Sequence, residues 1–349
     1  MKRILSIIGL MAVLLSCDPA KYFSKDDEKE EPETPAVTFA KGADISWITE
    51  MESKGYKFYS PSGKEMECTA LMKEIGFDAV RLRVWVNPDP KWCSKEDVLV
   101  KATRAKELGM DIMIDFHYSD WWADPGKQNV PAAWKDYDPD QMAAAVASHT
   151  REVLKYLKDG GIDVKWVQVG NEVENGMLWE SGRVSGQDAS NFVKYFNAGA
   201  AAVKEIYPKT EVILHISNSW KLDTLVWFYD LVGKNGANYD IIGLSLYPSY
   251  WQNGGYPDWT PYTSQAVSNF KQIHDKYSKP VMLVEFGMPV SEPVKAKEAL
   301  QYLIDNTKTW DWFQGIFLWE PESEKDRNGY EYGAFSNGTP TLALDPFKK

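Results

Sequence analysis

Two glutamates occupy comparable places in the chain. Glu172 closes the run Trp166-Val167-Gln168-Val169-Gly170-Asn171-Glu172, and Glu285 closes Val281-Met282-Leu283-Val284-Glu285, just before Phe286-Gly287. Each follows a short β-branched, apolar stretch of the kind that forms a buried strand. Two carboxyls that face one another are what glycosidic cleavage needs. One protonates the leaving oxygen; the other attacks the anomeric carbon or activates water. A separation of about 5–5.5 Å would specify retention through a glycosyl-enzyme ester. Other strand-like runs also close on polar or aromatic residues: Asp44, Arg81 with Arg83 and Trp85, His117, Asn171, His215, Tyr247, and Trp319 with Glu320. Each alone has a plain explanation, such as capping the next helix. Gathered on one rim they are hard to explain that way.

The elements that must carry these residues alternate. Strand-like runs fall at Ala43–Ser46, Ala79–Trp85, Asp111–His117, Val164–Asn171, Glu211–Ser217, Tyr239–Tyr247, Val281–Glu285 and Gly315–Trp319. Helix-period segments lie between them, around Met66–Ile75, Lys95–Leu108, Asp140–Lys158, Ala189–Ile206, Leu222–Val232, Ser264–Tyr277 and Pro293–Thr307. Such alternation implies parallel βαβ units. The expected fold is α/β, a single (β/α)8 TIM barrel, whose C-terminal rim is where active sites are built. A doubly wound open sheet is the alternative, but no GxGxxG or Walker loop supports nucleotide use.

Composition narrows the function. The 349 residues carry 39 Lys+Arg against 50 Asp+Glu, a net charge of −11, which offers no basic stripe to nucleic acid or an anionic membrane. The 15 Trp and 18 Tyr suit planar platforms for sugar faces as well as core filling. Residues 1–16 pair a basic start (Lys2, Arg3) with a short apolar run and read as a secretory signal. That run ends Leu14-Leu15-Ser16-Cys17, which resembles the bacterial lipobox and implies lipidation of Cys17. Residues 17–39 are then expected to form a disordered acidic tether, leaving 40–349 as the (β/α)8 catalytic domain. The run Lys25-Asp26-Asp27-Glu28 resembles signals that send lipoproteins of some Gram-negative bacteria to the outer surface. An exported, cell-surface lipoprotein is the expectation, touching the membrane only through its lipid. Cys68 and Cys93 remain; they could pair, and spacing does not decide it.

Asn171-Glu172 ending strand four with Glu285 ending strand seven resembles clan A of the glycoside hydrolases. So does Gly76-Phe77-Asp78-Ala79-Val80-Arg81 as its second strand. Narrower motifs resemble family 53, the endo-β-1,4-galactanases: Arg83-Val84-Trp85-Val86-Asn87-Pro88, the long run Asp115 to Gln128, Leu244-Ser245-Leu246-Tyr247-Pro248 and Glu285-Phe286-Gly287. One departure is Ile216-Ser217-Asn218-Ser219-Trp220, where the family more often has a Gly before the Trp.

The resemblance implies Glu172 as acid/base and Glu285 as nucleophile, with net retention. Arg81 would favour the charge of Glu285, and that charge would keep Glu172 protonated until the ester forms. Asn171 is placed for the sugar 2-hydroxyl, and Tyr247 for the nucleophile. Asp44, His117 and His215 would orient carboxylates or grip hydroxyls. Trp319 would floor the −1 sugar, with Trp85, Trp121 and Trp122 as neighbours; Trp251 and Trp259 would line the cleft or pin a loop. Bacterial members often bind structural calcium in a late loop, and Glu322, Glu324, Asp326 and Asn328 offer oxygen ligands there; catalysis itself needs no cofactor.

The expected partner is β-1,4-galactan, in pectic galactan or type I arabinogalactan, cut by a monomer. The competing readings are a clan A endo-glycanase on xylan, mannan or β-glucan, and an inactive glycan-binding surface lipoprotein.

Overall fold

The structure, a computed structural model, describes residues 39–249 and 258–348. Cys17, the signal and tether, and Trp251 lie outside the described residues.

Eight parallel strands close into one barrel. They are β1 (Ala40–Asp44), β2 (Ala79–Val84), β3 (Asp111–Phe116), β4 (Trp166–Val169), β5 (Glu211–Ile216), β6 (Ile241–Leu246), β7 (Val281–Phe286) and β8 (Phe313–Trp319). Each pairs with its neighbours in sequence, and β8 pairs with β1 to close the ring. The joining helices are α1 (Cys68–Ile75), α2 (Lys95–Glu107), α3 (Pro139–Asp159), α4 (Ser190–Ile206), α5 (Leu222–Lys234), α6 (Thr260–Tyr277) and α7 (Pro293–Thr307). A 3-10 segment, Leu342–Phe347, follows β8 and packs Phe347 edge-on against Phe77, with ring centres 4.9 Å apart. The strands expected from sequence are all present, but β1 and β8 start earlier and β4 stops at Val169.

Local chemistry sets the helix starts. Asp138 caps α3 by accepting from the N–H groups of Asp140 and Gln141, while Gln141 accepts from Asp138 N–H and Pro139 supplies the first turn. Ser94 caps α2 in the simpler way.

Strand alternation separates two cores. On β2, Val80 and Leu82 join the shell packed against the helices, while Ala79 joins the inner cluster. That inner cluster also holds Met113, Trp166, Ile213, Ile241, Met282, Val284 and Phe317, and it fills the lower barrel. Trp166 donates its indole N–H to Gln314 Oε1 at 3.0 Å. Gly42 leaves room for Phe317, since a Cβ there would sit 2.1 Å from the Phe317 ring.

Strand β7 breaks the alternation. Leu244 and Leu283 are partners on β6 and β7, yet the next partners are Ser245 and Glu285. On the other side, Ile316 to Leu318 spans two residues while Leu283 to Phe286 spans three. An extra residue is thus bulged into β7. Val284 and Glu285 both face the interior as a result, and Phe286 returns to the helix-facing shell. Glu285 is lifted into the polar layer above the apolar one.

Candidate active site

Above the inner cluster, Arg81 is fully buried and gathers carboxylates from three strands. Its Nη1 lies 2.8 Å from Asp44 Oδ2, and its Nη2 lies 2.9 Å from Asp115 Oδ2 and 2.8 Å from Glu285 Oε1. Nη2 also donates to Asn171 Oδ1 at 2.9 Å. The second oxygen of Glu285 accepts from Tyr247 Oη at 2.9 Å. Asp44 is further held by the hydroxyl of Ser46 at 2.6 Å.

Beyond β4 the backbone turns sharply. Gly170 has φ +84° and Glu172 φ +47°, so Glu172 sits in the left-handed region that a non-glycine residue enters only when its surroundings hold it. Several contacts do. Asn171 donates from Nδ2 to Ala123 O at 2.9 Å, and its carbonyl oxygen accepts from Gln128 Nε2 at 2.8 Å. His215 Nδ1 accepts from Glu172 N–H at 3.4 Å and lies 3.1 Å from Asn171 Oδ1, and His215 Nε2 lies 2.8 Å from Ser245 Oγ. Ser245 also hydrogen-bonds the Glu172 carboxyl.

His117 is fixed in the same manner. Its Nδ1 accepts from Ala123 N–H at 3.0 Å, so Nε2 donates to Asp115 Oδ2 at 3.0 Å. Both histidines therefore spend both ring nitrogens on the protein and act as orienting groups.

A cavity of about 460 Å³ opens over this layer at the C-terminal end of the barrel. Glu172, Glu285, Asn171, His117, Tyr247, Trp122 and Trp319 all line it, as the sequence suggested. Asp44, Arg81 and His215 lie beneath, supporting the lining rather than forming it. Trp85 is buried beside the cavity, and Trp121, 46% exposed, packs on Trp85 with ring centres 4.6 Å apart. Trp259 packs on Tyr302, 5.7 Å between ring centres, away from the cleft lining. Tyr330, Tyr332, Trp220 and Asn218 also line it and were not singled out in the sequence as cleft residues.

The chain matches the family model Glycosyl hydrolase family 53 over residues 40–312. It is 34% identical over 260 residues to a probable arabinogalactan endo-β-1,4-galactanase A of Neosartorya fischeri, covering 72% of this chain and 70% of that one. It is 30% identical over 264 residues to an arabinogalactan endo-β-1,4-galactanase of Thermothelomyces thermophilus, covering 74% and 76%. A fungal β-1,4-galactanase of known structure superposes with a TM-score of 0.78 at 26% identity, covering 89% of this chain and 99% of that one. The chain belongs to glycosyl hydrolase family 53.

In this family 53 protein the two cavity carboxyls differ in their charge environment. Burial pushes Glu285 up to about 7, even though Arg81 and then the Tyr247 hydrogen bond pull it down. Glu172 is pushed well above the ordinary carboxyl range by burial first, then by the charges of Glu285 and Glu174. Arg81 faces Glu285 directly, so the proton of the pair resides on Glu172 and the charge on Glu285. Asp115 stays ionised: burial would raise it, but Arg81 and His117 hold it below its usual value. His117 and His215 are both lowered, burial being the largest cause, and are neutral.

Three buried polar groups were missed as site residues in the sequence. Gln168 donates to Asp115 Oδ1 at 2.5 Å and accepts from Arg81, Ser245 bridges His215 and Glu172, and Glu174 accepts from Ser217 N–H at 3.2 Å and from the Ser217 hydroxyl. The signal for Gln168 was present: it stands two residues after Trp166 and so shares its inward face.

The four residues offered for calcium do not converge. Glu322 is fully buried, Glu324 accepts from Asn337 N–H and Gly338 N–H at 2.7 Å each, Asp326 is exposed, and Asn328 donates to Ser323 Oγ at 2.8 Å. Among the described residues no group of three or more His, Cys, Asp or Glu is placed to hold a metal ion. These side chains do not fit a calcium site. Cys68 and Cys93 are both buried free thiols, so the open question of their pairing is answered against a disulfide.

Proposed function

We propose that this chain is a retaining endo-β-1,4-galactanase that cuts internal bonds of pectic galactan or type I arabinogalactan. The observation that carries the reading is the pair Glu172 and Glu285, lining one open, aromatic-walled cavity with unequal proton affinities. The galactanase names of the family 53 relatives supply the substrate.

The chemistry then follows from the local environments. Glu285, its Oε1 on Arg81 and its Oε2 on Tyr247, attacks the anomeric carbon while Glu172 gives its proton to the departing glycosidic oxygen. Formation of the ester removes the charge of Glu285, and with it one cause of the high proton affinity of Glu172. The now-ionised Glu172 takes a proton from water, which opens the ester and restores the starting state. Asn171 retains one amide hydrogen beyond its bond to Ala123 O, available to the sugar 2-hydroxyl. Trp319 and Trp122, with centres 5.8 Å apart and planes 63° inclined, give stacking faces at two angles. The same reading includes export, lipidation at Cys17 and tethering to the cell surface, on the strength of the lipobox-like segment.

The test is incubation of the full chain with unbranched β-1,4-galactan, xylan, mannan and β-glucan, beside Glu285→Ala. Intermediate-length galacto-oligosaccharides should appear early and be absent with the variant. Proton NMR of the first product should show the β-anomer. Cleavage of another polymer would replace the substrate; an initial α-anomer would replace the mechanism. Binding of galactan without cleavage would favour the inactive glycan-binding reading.

A further inference from the structure

A second cavity, about 620 Å³, lies outside the barrel between the segment after β2 and helix α3. Trp85, Trp134, Tyr137, Gln141, Ser148 and His149 contribute to its walls. Trp134 is buried against His149, with ring centres 6.1 Å apart, while Tyr137 is 40% exposed. Among the described residues, two buried ring nitrogens of this wall have no hydrogen-bond partner: Trp85 Nε1 and His149 Nε2. Burial pushes His149 down to about 4, so its ring is neutral in any ordinary medium. The charged residues are balanced, Lys91 and Lys95 against Glu96 and Glu152, and Lys95 is paired with Glu152. Aromatic faces, neutral donors and acceptors and no net charge suit a neutral polyhydroxylated ring better than an anion.

Packed indoles also link the wall of this cavity to the wall of the cleft. Trp319 lines the cleft and packs on Trp122 at 5.8 Å; Trp122 meets the exposed Trp121 at 6.3 Å; Trp121 meets Trp85 at 4.6 Å. Trp85 then forms part of the second cavity. An unbroken track of indoles thus runs from the cleft to the second cavity.

We propose that the second cavity is a distal sugar-binding site, which holds a neutral sugar residue of the same glycan chain remote from the bond being cut. This rests on the galactanase reading for the identity of the chain, but not for the existence of the site. The site adds affinity only when one chain is long enough to occupy both places, because the second contact is then intramolecular.

The experiment measures binding of β-1,4-galacto-oligosaccharides of graded length to the full chain carrying Glu285→Gln, alone and with Tyr137→Ala or Ser148→Trp. Tyr137 and Ser148 are exposed, so the first change removes a platform and the second fills the cavity without disturbing the core. Long oligosaccharides should bind about tenfold tighter than short ones, and either second change should erase that increment while leaving short ones unaffected. In the catalytically intact chain the same changes should raise KM for polymer and leave cleavage of the shortest substrates unchanged. Absence of a length increment, its survival in both variants, or an equal loss for short oligosaccharides overturns the site. Preferential binding of oligogalacturonate, sensitive to Ser148→Trp, overturns the neutral ligand. If the unaltered chain cuts a different glycan, the galactanase reading falls, and the same length comparison on that glycan decides the cavity.

Discussion

The Oε1 atom of Glu285 lies 2.8 Å from Nη2 of Arg81, and that guanidinium nitrogen is shared with Asp115 and Asn171. One cation therefore ties the proposed nucleophile on β7 to β2, β3 and the turn after β4 that carries Glu172. The arrangement couples orientation to charge, because displacing Arg81 weakens the pull that favours the charge on Glu285.

Tyr247→Phe removes the hydroxyl that donates to Glu285 Oε2. That bond lowers the pKa of Glu285, so its loss raises it, and the acidic limb of kcat/KM, set near 7 by Glu285, should move to higher pH. A hydrogen bond to a charged group is worth about 1.5–3 kcal/mol, or roughly ten- to a hundredfold in rate if it is fully expressed in the transition state. A pH–rate profile of the variant decides it; an unmoved acidic limb would show that Tyr247 does not act through this carboxyl.

Glu174→Gln should shift the opposite limb. The charge of Glu174 is one of the causes raising Glu172, so its removal lowers Glu172 and brings the alkaline fall of kcat/KM to lower pH. The amide can still accept from Ser217 N–H through its oxygen and donate to the Ser217 hydroxyl through its nitrogen, which separates charge from shape. A changed KM with both limbs in place would point to loop position instead.

Arg81→Leu should be severe. It leaves Asp44, Asp115 and Glu285 buried without their shared cation, and breaking such a cluster costs about 3–5 kcal/mol. Urea unfolding of the inactive variant should show the loss. A stability within about 1 kcal/mol of the parent would mean the carboxylates are already largely protonated or hydrated.

Gly42→Ala tests the lower barrel. The added Cβ would fall 2.1 Å from Phe317, and overpacking of this kind costs about 1–3 kcal/mol. Phe317→Leu in the same chain should recover part of that cost. Equal stability of the single variant and the parent, by thermal unfolding, would show that the ring moves aside freely.

Much of this was readable from residue order. The strand-then-helix rhythm and the polar strand ends identified the barrel and its working rim, and Glu172, Glu285, Asn171, Tyr247, Trp122 and Trp319 do meet there. Less readable were residues whose meaning depends on depth. Asp44, Arg81 and His215 look like cleft residues in sequence because they end strands, yet each lies one layer below the lining. Trp85 and Trp121 were expected at the sugar floor beside Trp319; they pack on each other outside the cleft lining, and Trp85 contributes to the wall of the second cavity. The spaced acidic run after β8 looked like a set of ion ligands, but the fold sends Glu322 inward, Asp326 to solvent and Glu324 to the backbone of Asn337 and Gly338. Spacing along an irregular segment does not fix direction.

The extra residue in β7 has a practical corollary for anyone grafting this chemistry onto another scaffold. Copying Val281 to Phe286 onto a strand of strict alternation would send Phe286 into the sugar pocket and strand Glu285 among helix-facing leucines. The transferable unit is therefore the glutamate together with its backbone irregularity, and a residue-by-residue transplant would carry over the letters without the geometry.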